Sequence, residues 1–234
     1  MGTQTSSGTT ASGPTASRRA SSGTASSDVG DALPVSALPV SARPASGLHA
    51  AALATLRSWT APTPEQERLR ARYVAHLEAH DRADDDGVYR DCVPDHLTAS
   101  TVVLSHDGAQ VLLTLHAKAR RWFQLGGHLE AGDATPAAAA AREAREESGI
   151  AGLVLDAVPV HLDEHVVPFC RPGTGDPARP VHHLDVRFVA VAPADAETAV
   201  SDESLDLRWW PVDALPDPEL AELVMRARAR LGGA

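Results

Sequence analysis

The sequence predicts an α+β sandwich, because strand-like segments lie on both sides of one strongly predicted helix and a second helix closes the chain. Residues 98–104 and 110–115 are rich in β-branched and aliphatic side chains and flank a His-Asp-Gly turn, which predicts an antiparallel hairpin. A Thr-Pro start followed by an alanine run predicts a helix over residues 135–149. Residues 216–231 carry an apolar stripe at helical spacing and predict the last helix.

The remaining elements follow in chain order. Residues 122–125 predict a short apolar strand that leads into a pair of glycines. Further strands are predicted from aliphatic segments at residues 153–160, 184–191 and 205–210. Before the hairpin, residues 48–59 and 63–80 predict two helices, the second with a proline in its first turn.

The first 47 residues have a different composition from the rest of the chain. Ser, Thr, Gly, Ala and Pro dominate, and the pentapeptide ALPVS occurs twice in succession. Such a segment cannot bury enough apolar surface to offset its conformational entropy. We therefore expect a disordered tail over residues 1–47, a helical prefix over residues 48–96 and a catalytic domain over residues 97–234.

Composition narrows the class of protein. The 234 residues, of which 43% are hydrophobic, suffice for one core, and the formal net charge of −10 argues against a surface that binds double-stranded nucleic acid. Cys92 and Cys170 are too few for a disulfide framework. No apolar run is long enough to span a membrane, so we expect a cytoplasmic protein without a membrane partner.

The helix predicted at residues 135–149 carries the chemistry. Arg142, Glu143, Glu146 and Glu147 are spaced three or four residues apart and fall on adjoining stripes of one surface. Three carboxylates near a helix C-terminus repel one another and oppose the helix dipole, so a cation should offset them. Hard oxygen ligands suit Mg²⁺ or Mn²⁺. The Gly126–Gly127 pair would let the backbone approach the same ion or a phosphate group.

At these positions the chain resembles the Nudix hydrolase family, whose signature reads G-x5-E-x7-R-E-U-x-E-E-x-G-U, with U an aliphatic residue. The matching residues are Gly127, Arg142, Glu143, Glu146, Glu147, Gly149 and Ile150. Asp133 replaces the first glutamate, eight residues instead of seven separate it from Arg142, and Ala144 fills the first aliphatic position. Because Thr135 keeps the family's seven-residue interval to Arg142, the loop before the helix should absorb the extra residue.

The resemblance implies an α/β/α sandwich with a mixed sheet and hydrolysis of the diphosphate bond of a nucleotide or nucleoside diphosphate derivative. It implies Glu143 and Glu147 as the main ligands of Mg²⁺ or Mn²⁺, with the carbonyl of Gly126 as a further ligand. Glu146 is expected to be another ligand or a base that orients water. Arg142 is expected to position one of these glutamates, and Glu203 is the candidate general base outside the signature.

Histidines and a tryptophan outside this helix are candidates for substrate contacts. We expect this role for His128, Trp122, His165 and His183. A wider group raises the alternative of a zinc site, with members His161, Asp163, His165, Cys170, His182, His183 and Asp185. Its spacing matches no compact ligand signature, so a structural or substrate-lining role is preferred.

Two other functions remain alternatives. An isomerase resembling isopentenyl diphosphate isomerase would use a metal with histidine ligands and a catalytic cysteine. A nucleotide-sensing protein would keep the fold without activity. The intact pair of glutamates favours hydrolysis over both. The helical prefix could pack on the catalytic domain, form a homodimer contact or cover the substrate, and packing is the preferred interpretation.

Overall fold

The computed structural model describes residues 46–82, 85–91, 95–168, 180–201 and 204–232. Three sequence predictions concern positions beyond these ranges. The predicted tail lies outside the described residues except for its last two positions. Glu203, the candidate general base, and both cysteines also lie outside them.

The helices and strands of the described residues agree with the sequence prediction in type and order, except that the single strand predicted at residues 122–125 is replaced by two short strands, the second of which contains the glycine pair. The helices are α1 (Gly47–Ser58), α2 (Pro64–Ala79), α3 (Pro136–Ser148) and α4 (Ala221–Gly232). The strands are β1 (Asp95–Leu104), β2 (Gln110–His116), β3 (Trp122–Phe123), β4 (Leu125–His128), β5 (Val154–Val166), β6 (His182–Val191) and β7 (Ser204–Pro211). Boundaries differ most at β5, which runs six residues past its predicted end, and at α4, which follows a 3₁₀ turn at Pro218–Leu220.

The strands form a mixed sheet with the order β3-β2-β1-β6-β5, to which β4 adds beside β1 and β7 beside β2. The predicted hairpin is antiparallel, but β1 and β2 pair only at Val103↔Leu112 and Leu104↔Val111. The reason is that β4 occupies the same edge of β1 from Thr98 to Thr101. On its other edge β1 pairs with β6 in parallel over its whole length.

Helices cover both faces of the sheet, which confirms the predicted α/β/α sandwich. On one face, α1, α2 and α3 share a core with side chains such as Leu97 and Leu184. On the other face, α4 packs through Leu223 and Ala227 onto Val102, Val189 and their neighbours. Among the described residues, no helix has the length and apolar character needed to cross a membrane.

The helical prefix packs on the sheet through α2. The Tyr73 hydroxyl, fully buried, donates to the carbonyl oxygen of Asp163 at 2.7 Å. Gln66 exchanges two hydrogen bonds with the backbone of Leu162, with Nε2 donating at 3.0 Å and Oε1 accepting at 2.7 Å. These contacts support packing as the role of the prefix.

Buried His76 in α2 predicts a loss of stability in mild acid. Its Nε2 lies 3.0 Å from the carbonyl oxygen of Gly87, and burial lowers its pKa from 6.5 to about 4. As the pH falls, the unfolded state therefore binds a proton before the folded state does. The contribution of His76 to the free energy of unfolding is complete above about pH 6.5 and declines as the pH falls toward 4. His76 alone should account for up to about 1.4 kcal/mol of unfolding free energy lost per pH unit in this interval, and the other buried histidines whose pKa is lowered add to this slope.

Urea unfolding at a series of pH values measures this effect, and the His76→Gln protein is the control. The decline should be shallower in the variant, because glutamine does not titrate. Identical slopes in both proteins would contradict the assignment to His76.

Candidate active site

Two consecutive glycines in β4 bring the sheet into contact with helix α3. A Cβ atom at Gly127 would lie 2.7 Å from the carboxyl carbon of Glu143, and one at Gly126 would lie 2.5 Å from Cα of Ser100. No ordinary side chain fits at either distance. The glycine pair is therefore required for the carboxylate of Glu143 to lie directly on the backbone of β4.

Helix α3 presents two carboxylates to this glycine pair. It begins after Thr135, whose Oγ1 accepts a hydrogen bond from the amide of Ala138 at 3.1 Å. One helical turn beyond Glu143, Oε2 of Glu147 accepts a hydrogen bond from the amide of Gly126 at 3.1 Å. Ala144, in the position where the signature has a larger aliphatic residue, is fully buried against the sheet. Glu143 and Glu147 thus converge on the same stretch of β4.

Arg142 links the loop before α3 to the carboxylates. Its Nε and Nη2 donate to the two carboxylate oxygens of Asp133, at 3.2 and 3.0 Å. Its Nη1 donates to Glu143 at 2.9 Å and to Glu146 at 3.1 Å. Nη2 also donates to the backbone carbonyl of His128 at 3.0 Å. These bonds, chiefly that with Asp133, hold the pKa of Arg142 above its ordinary value although burial opposes them.

Asp133 connects the loop before α3 to Arg142 of the helix. Its side chain, 6% exposed, accepts a hydrogen bond from the amide of Glu130 at 2.8 Å, and its own amide donates to the carbonyl of Glu130 at 2.9 Å. The loop is closed by this turn, and the carboxylate of Asp133 faces Arg142. Glu146, whose side chain is 60% exposed, lies at the rim of the site.

The opposite face of the sheet carries a second group of polar residues, which we call the polar face. Its members are His96, Thr98 and Ser100 from β1, His183, Asp185 and Arg187 from β6, Asp163 and His165 from β5, His128 from β4, and Gln124 directly before β4. Strand register puts these side chains on one face, since His96 pairs with His183 and Thr98 with both Asp185 and His128. Helix α4 packs on the apolar positions further along the same strands.

Asp185 is the centre of the polar face. Only 3% exposed, its carboxylate accepts hydrogen bonds from the hydroxyls of Thr98 at 3.0 Å and Ser100 at 2.7 Å. Arg187 Nε donates to the same carboxylate at 2.9 Å, and its Nη2 donates to Asp163 at 2.7 Å. The negative charge of Asp185 is thus paired with Arg187, and its carboxylate oxygens accept hydrogen bonds although the residue is buried.

Three of the four residues predicted to contact substrate lie together. The ring of His183 lies 5.0 Å from that of His128 and 5.5 Å from that of His165. Burial, followed by the nearby Arg90, lowers the pKa of His128 to about 4, and burial among other histidines lowers that of His183 to about 2. Trp122 instead packs against Trp210, with ring centroids 5.3 Å apart.

Among the described residues, no group of three or more potential ligand atoms close enough to share an ion contains more than one residue of the sequence-derived zinc hypothesis. His182 Nδ1 lies 3.0 Å from Asp95, His161 Nε2 lies 3.1 Å from Gln66, and Asp163 and Asp185 both bind Arg187. Cys170 lies outside the described residues.

Several residues of the polar face have no role in the sequence prediction, namely His96, Thr98, Ser100, Arg187 and Gln124. Asp185 enters that prediction only as a zinc ligand. The signal was available, since β1 and β6 each carry a polar residue at every second position over one half and apolar residues over the other half. The change from apolar to polar residues marks the point along these strands where the face covered by α4 ends and the polar face begins.

Gly127→Ala tests the contact between β4 and α3. The added methyl group would push the Glu143 carboxylate away from β4, so we expect a ten- to hundredfold loss of activity, the size typical for a displaced metal-site group. Gly132→Ala is the matched control, because a Cβ there meets nothing within 4 Å. Steady-state kinetics on both variants measures the effect. Equal activity of the two would show that the close approach has no catalytic importance.

Comparison with solved structures found similar chains. A hydrolase of the NUDIX family from Clostridium perfringens has 25% sequence identity and a TM-score of 0.45, covering 58% of this chain and 97% of that one. The C. elegans Ap4A hydrolase in a binary complex has 18% identity and a TM-score of 0.45, covering 59% and 98%. The NUDIX domain of NrtR from Shewanella oneidensis, complexed with ADP-ribose, has 20% identity and a TM-score of 0.44, covering 58% and 87%.

Comparison with curated proteins found no match. The family model for the NUDIX domain matches residues 94–229, which is more than half of the chain and includes β1, the glycine pair, α3 and most of α4. The resemblance seen in the sequence is thereby confirmed, and the chain belongs to the NUDIX domain family.

Proposed function

We propose that the protein is a Mg²⁺- or Mn²⁺-dependent pyrophosphohydrolase that cleaves the diphosphate bond of a nucleotide or nucleoside diphosphate derivative. The observation that carries this proposal is the convergence of Glu143 and Glu147 on the Gly126–Gly127 backbone. Two carboxylates and a backbone carbonyl are the hard oxygen donors that such ions prefer, and they leave positions for water and phosphate oxygens.

The donor set fits the ion in charge as well as in chemistry. Glu143 is 16% exposed at its side chain, and Arg142 donates to one of its oxygens, so this acid is held partly buried beside the glycine pair. A bound divalent ion would supply charge neutralisation of the diphosphate and a water of lowered pKa. The chain's own contribution is to hold the carboxylates in place before substrate arrives.

Arg142 acts in this proposal as a positioning residue. Asp133 fixes its guanidinium from one side, which leaves Nη1 to orient Glu143 and Glu146. Glu146 is exposed enough to accept a proton from water, and Glu203 remains a proposed base outside the described residues. Replacing Glu146 and Glu203 separately with glutamine and comparing kcat distinguishes these two candidates for the general base.

The polar face supplies the proposed substrate contacts. His128 follows the glycine pair directly, so its ring lies on the strand that contacts the carboxylates. His165 and His183 extend the surface away from β4, and imidazole nitrogens can form hydrogen bonds to a base or a sugar. Trp122 retains a proposed stacking role at the border with α4.

We also infer that residues 97–234 form the catalytic domain, that residues 48–96 pack against it, and that the protein is cytoplasmic. A homodimer through the exposed part of the prefix remains a proposal. Size-exclusion chromatography with light scattering tests the last point, and a monomer at all concentrations would contradict it.

Phosphate release from a panel of nucleoside triphosphates, ADP-ribose and dinucleoside polyphosphates tests the function. Auxiliary pyrophosphatase and phosphatase convert the products to phosphate, and each substrate is measured with Mg²⁺ and with a chelator. We expect turnover that depends on the ion for at least one compound. No turnover on any member, or turnover that persists in chelator, would contradict the proposal.

A further inference from the structure

Three histidines from three different strands converge on the polar face. His96 in β1 pairs directly with His183 in the parallel strand β6. His128 in β4 pairs with Thr98, the next residue of β1 on the same face as His96. Because alternate residues of a strand share a face, the sheet register alone brings the three imidazoles to one side.

Their ring nitrogens lie close enough to share one ion. A nitrogen from each histidine lies within 4.8 Å of the corresponding nitrogens of the other two. The ring of His96 lies 5.2 Å from that of His128 and 4.9 Å from that of His183. Nε2 of His183 is buried and finds no hydrogen-bond partner among the described residues. An unsatisfied buried polar atom costs about 1–3 kcal/mol, so packing alone leaves this arrangement unexplained.

We propose that His96, His128 and His183 form a Zn²⁺ site that is separate from the carboxylate site of α3. Three imidazole nitrogens are a donor set typical of zinc sites in which one position stays open, whereas Mg²⁺ prefers oxygen. His96 is fully buried, and the other two are partly exposed, so the open position faces the solvent side of the polar face. Water or an anionic oxygen of a bound ligand would occupy that position.

Binding requires only a small movement of the rings. Zinc–nitrogen bonds of about 2.1 Å in a tetrahedron place the nitrogens about 3.4 Å apart, so nitrogens that lie within 4.8 Å of one another must approach by at most about 1.4 Å. The backbone around them is held firmly. Arg142 donates to the carbonyl of His128, and the paired strands β1 and β6 fix the other two residues.

The two sites lie on opposite faces of the sheet but use neighbouring residues of β4. Gly126 and Gly127 contact the carboxylates of Glu147 and Glu143, and His128 is the next residue. Their donor atoms nevertheless differ in chemistry, nitrogen in one and oxygen in the other. Ion preference therefore distinguishes them experimentally, whether or not the protein hydrolyses diphosphates.

Cobalt absorption spectroscopy in the presence of excess Mg²⁺ tests the proposal on the full chain. Co²⁺ is a spectroscopic substitute for Zn²⁺, and Mg²⁺ saturates the oxygen site. We expect one equivalent of Co²⁺ with the intense visible bands of a low-coordinate nitrogen site, competed away by Zn²⁺. His183→Gln should abolish these bands, while Glu147→Gln should retain them.

His161→Gln is the matched histidine control, since His161 is also partly buried on β5 but bonds to Gln66 outside the cluster. It should keep the cobalt bands. Displacement of Co²⁺ by Mg²⁺ in the unmodified protein, or unchanged bands in His183→Gln, would overturn the proposal.

X-ray absorption on the zinc-loaded unmodified protein needs no variant and so avoids any problem of folding. In excess Mg²⁺, the spectrum should show three imidazole ligands at about 2.0–2.1 Å. A shell of oxygen atoms without imidazole scattering would refute the site.

Discussion

Replacing Glu147 with glutamine is expected to reduce diphosphate hydrolysis by on the order of a thousandfold while the protein stays folded. Stabilisation of transition-state charge by a bound ion is worth several kcal/mol, and each 1.36 kcal/mol is a factor of ten in rate. Glutamine has the size of glutamate and keeps an oxygen to accept the hydrogen bond from Gly126. It lacks the negative charge that holds the cation, so the loss should appear in kcat and in the Mg²⁺ concentration required.

Glu222→Gln is the matched control for this prediction. Glu222 lies on α4, far in the chain from the glycine pair. Its side chain is 57% exposed, and its ion-pair partner Arg226 lies one helical turn away. The activity of the Glu222→Gln protein should equal that of the unmodified protein. A Glu147→Gln protein with unchanged kcat at every Mg²⁺ concentration would contradict the role assigned to the carboxylates.

Replacing Asp185 with alanine is expected to destabilise the protein by about 3–5 kcal/mol, the usual cost of removing one partner of a buried ion pair. Arg187, only 13% exposed at its side chain, would lose the acceptor of its Nε. Thr98 and Ser100 would lose the acceptor of both hydroxyl groups in the middle of β1. Denaturant unfolding measures the free energy directly.

Two further variants sharpen this test. Asp185→Asn keeps the volume and one acceptor oxygen, so its destabilisation should be smaller than that of alanine. Glu222→Ala removes an exposed ion pair and should cost less than about 1 kcal/mol. If Asp185→Ala were as stable as Glu222→Ala, the polar face would not be the balanced, buried network described above.

Local sequence signals were sufficient for α3 and its surroundings. Thr135 and Pro136 mark the start of the helix and Gly149 its end, because caps act within a few residues of the helix they terminate. Spacing alone placed Glu143 and Glu147 one turn apart. The interval from Thr135 to Arg142 also set the expected register of the helix, which begins after Thr135.

The polar face could not be assembled from the sequence in the same way. It depends on the parallel pairing of β1 with β6, whose partners His96 and His183 are far apart in the chain, and no local signal specifies that register. The pairing of β4 with β1 is similarly non-local and is the reason that His128 joins His96 and His183. The hydrogen bonds of Asp133 to Arg142 depend on how the loop folds back on the helix.

In the proposed function, the carboxylates of α3 bind the divalent ion on which hydrolysis depends. Mn²⁺ binding followed by electron paramagnetic resonance, on samples whose turnover is measured in parallel, tests it most directly. We predict that the Glu143→Gln and Glu147→Gln proteins lose tight Mn²⁺ binding and turnover together, whereas His183→Gln keeps its Mn²⁺. Tight Mn²⁺ binding that survives in both glutamate variants, or turnover that survives without it, would contradict the account.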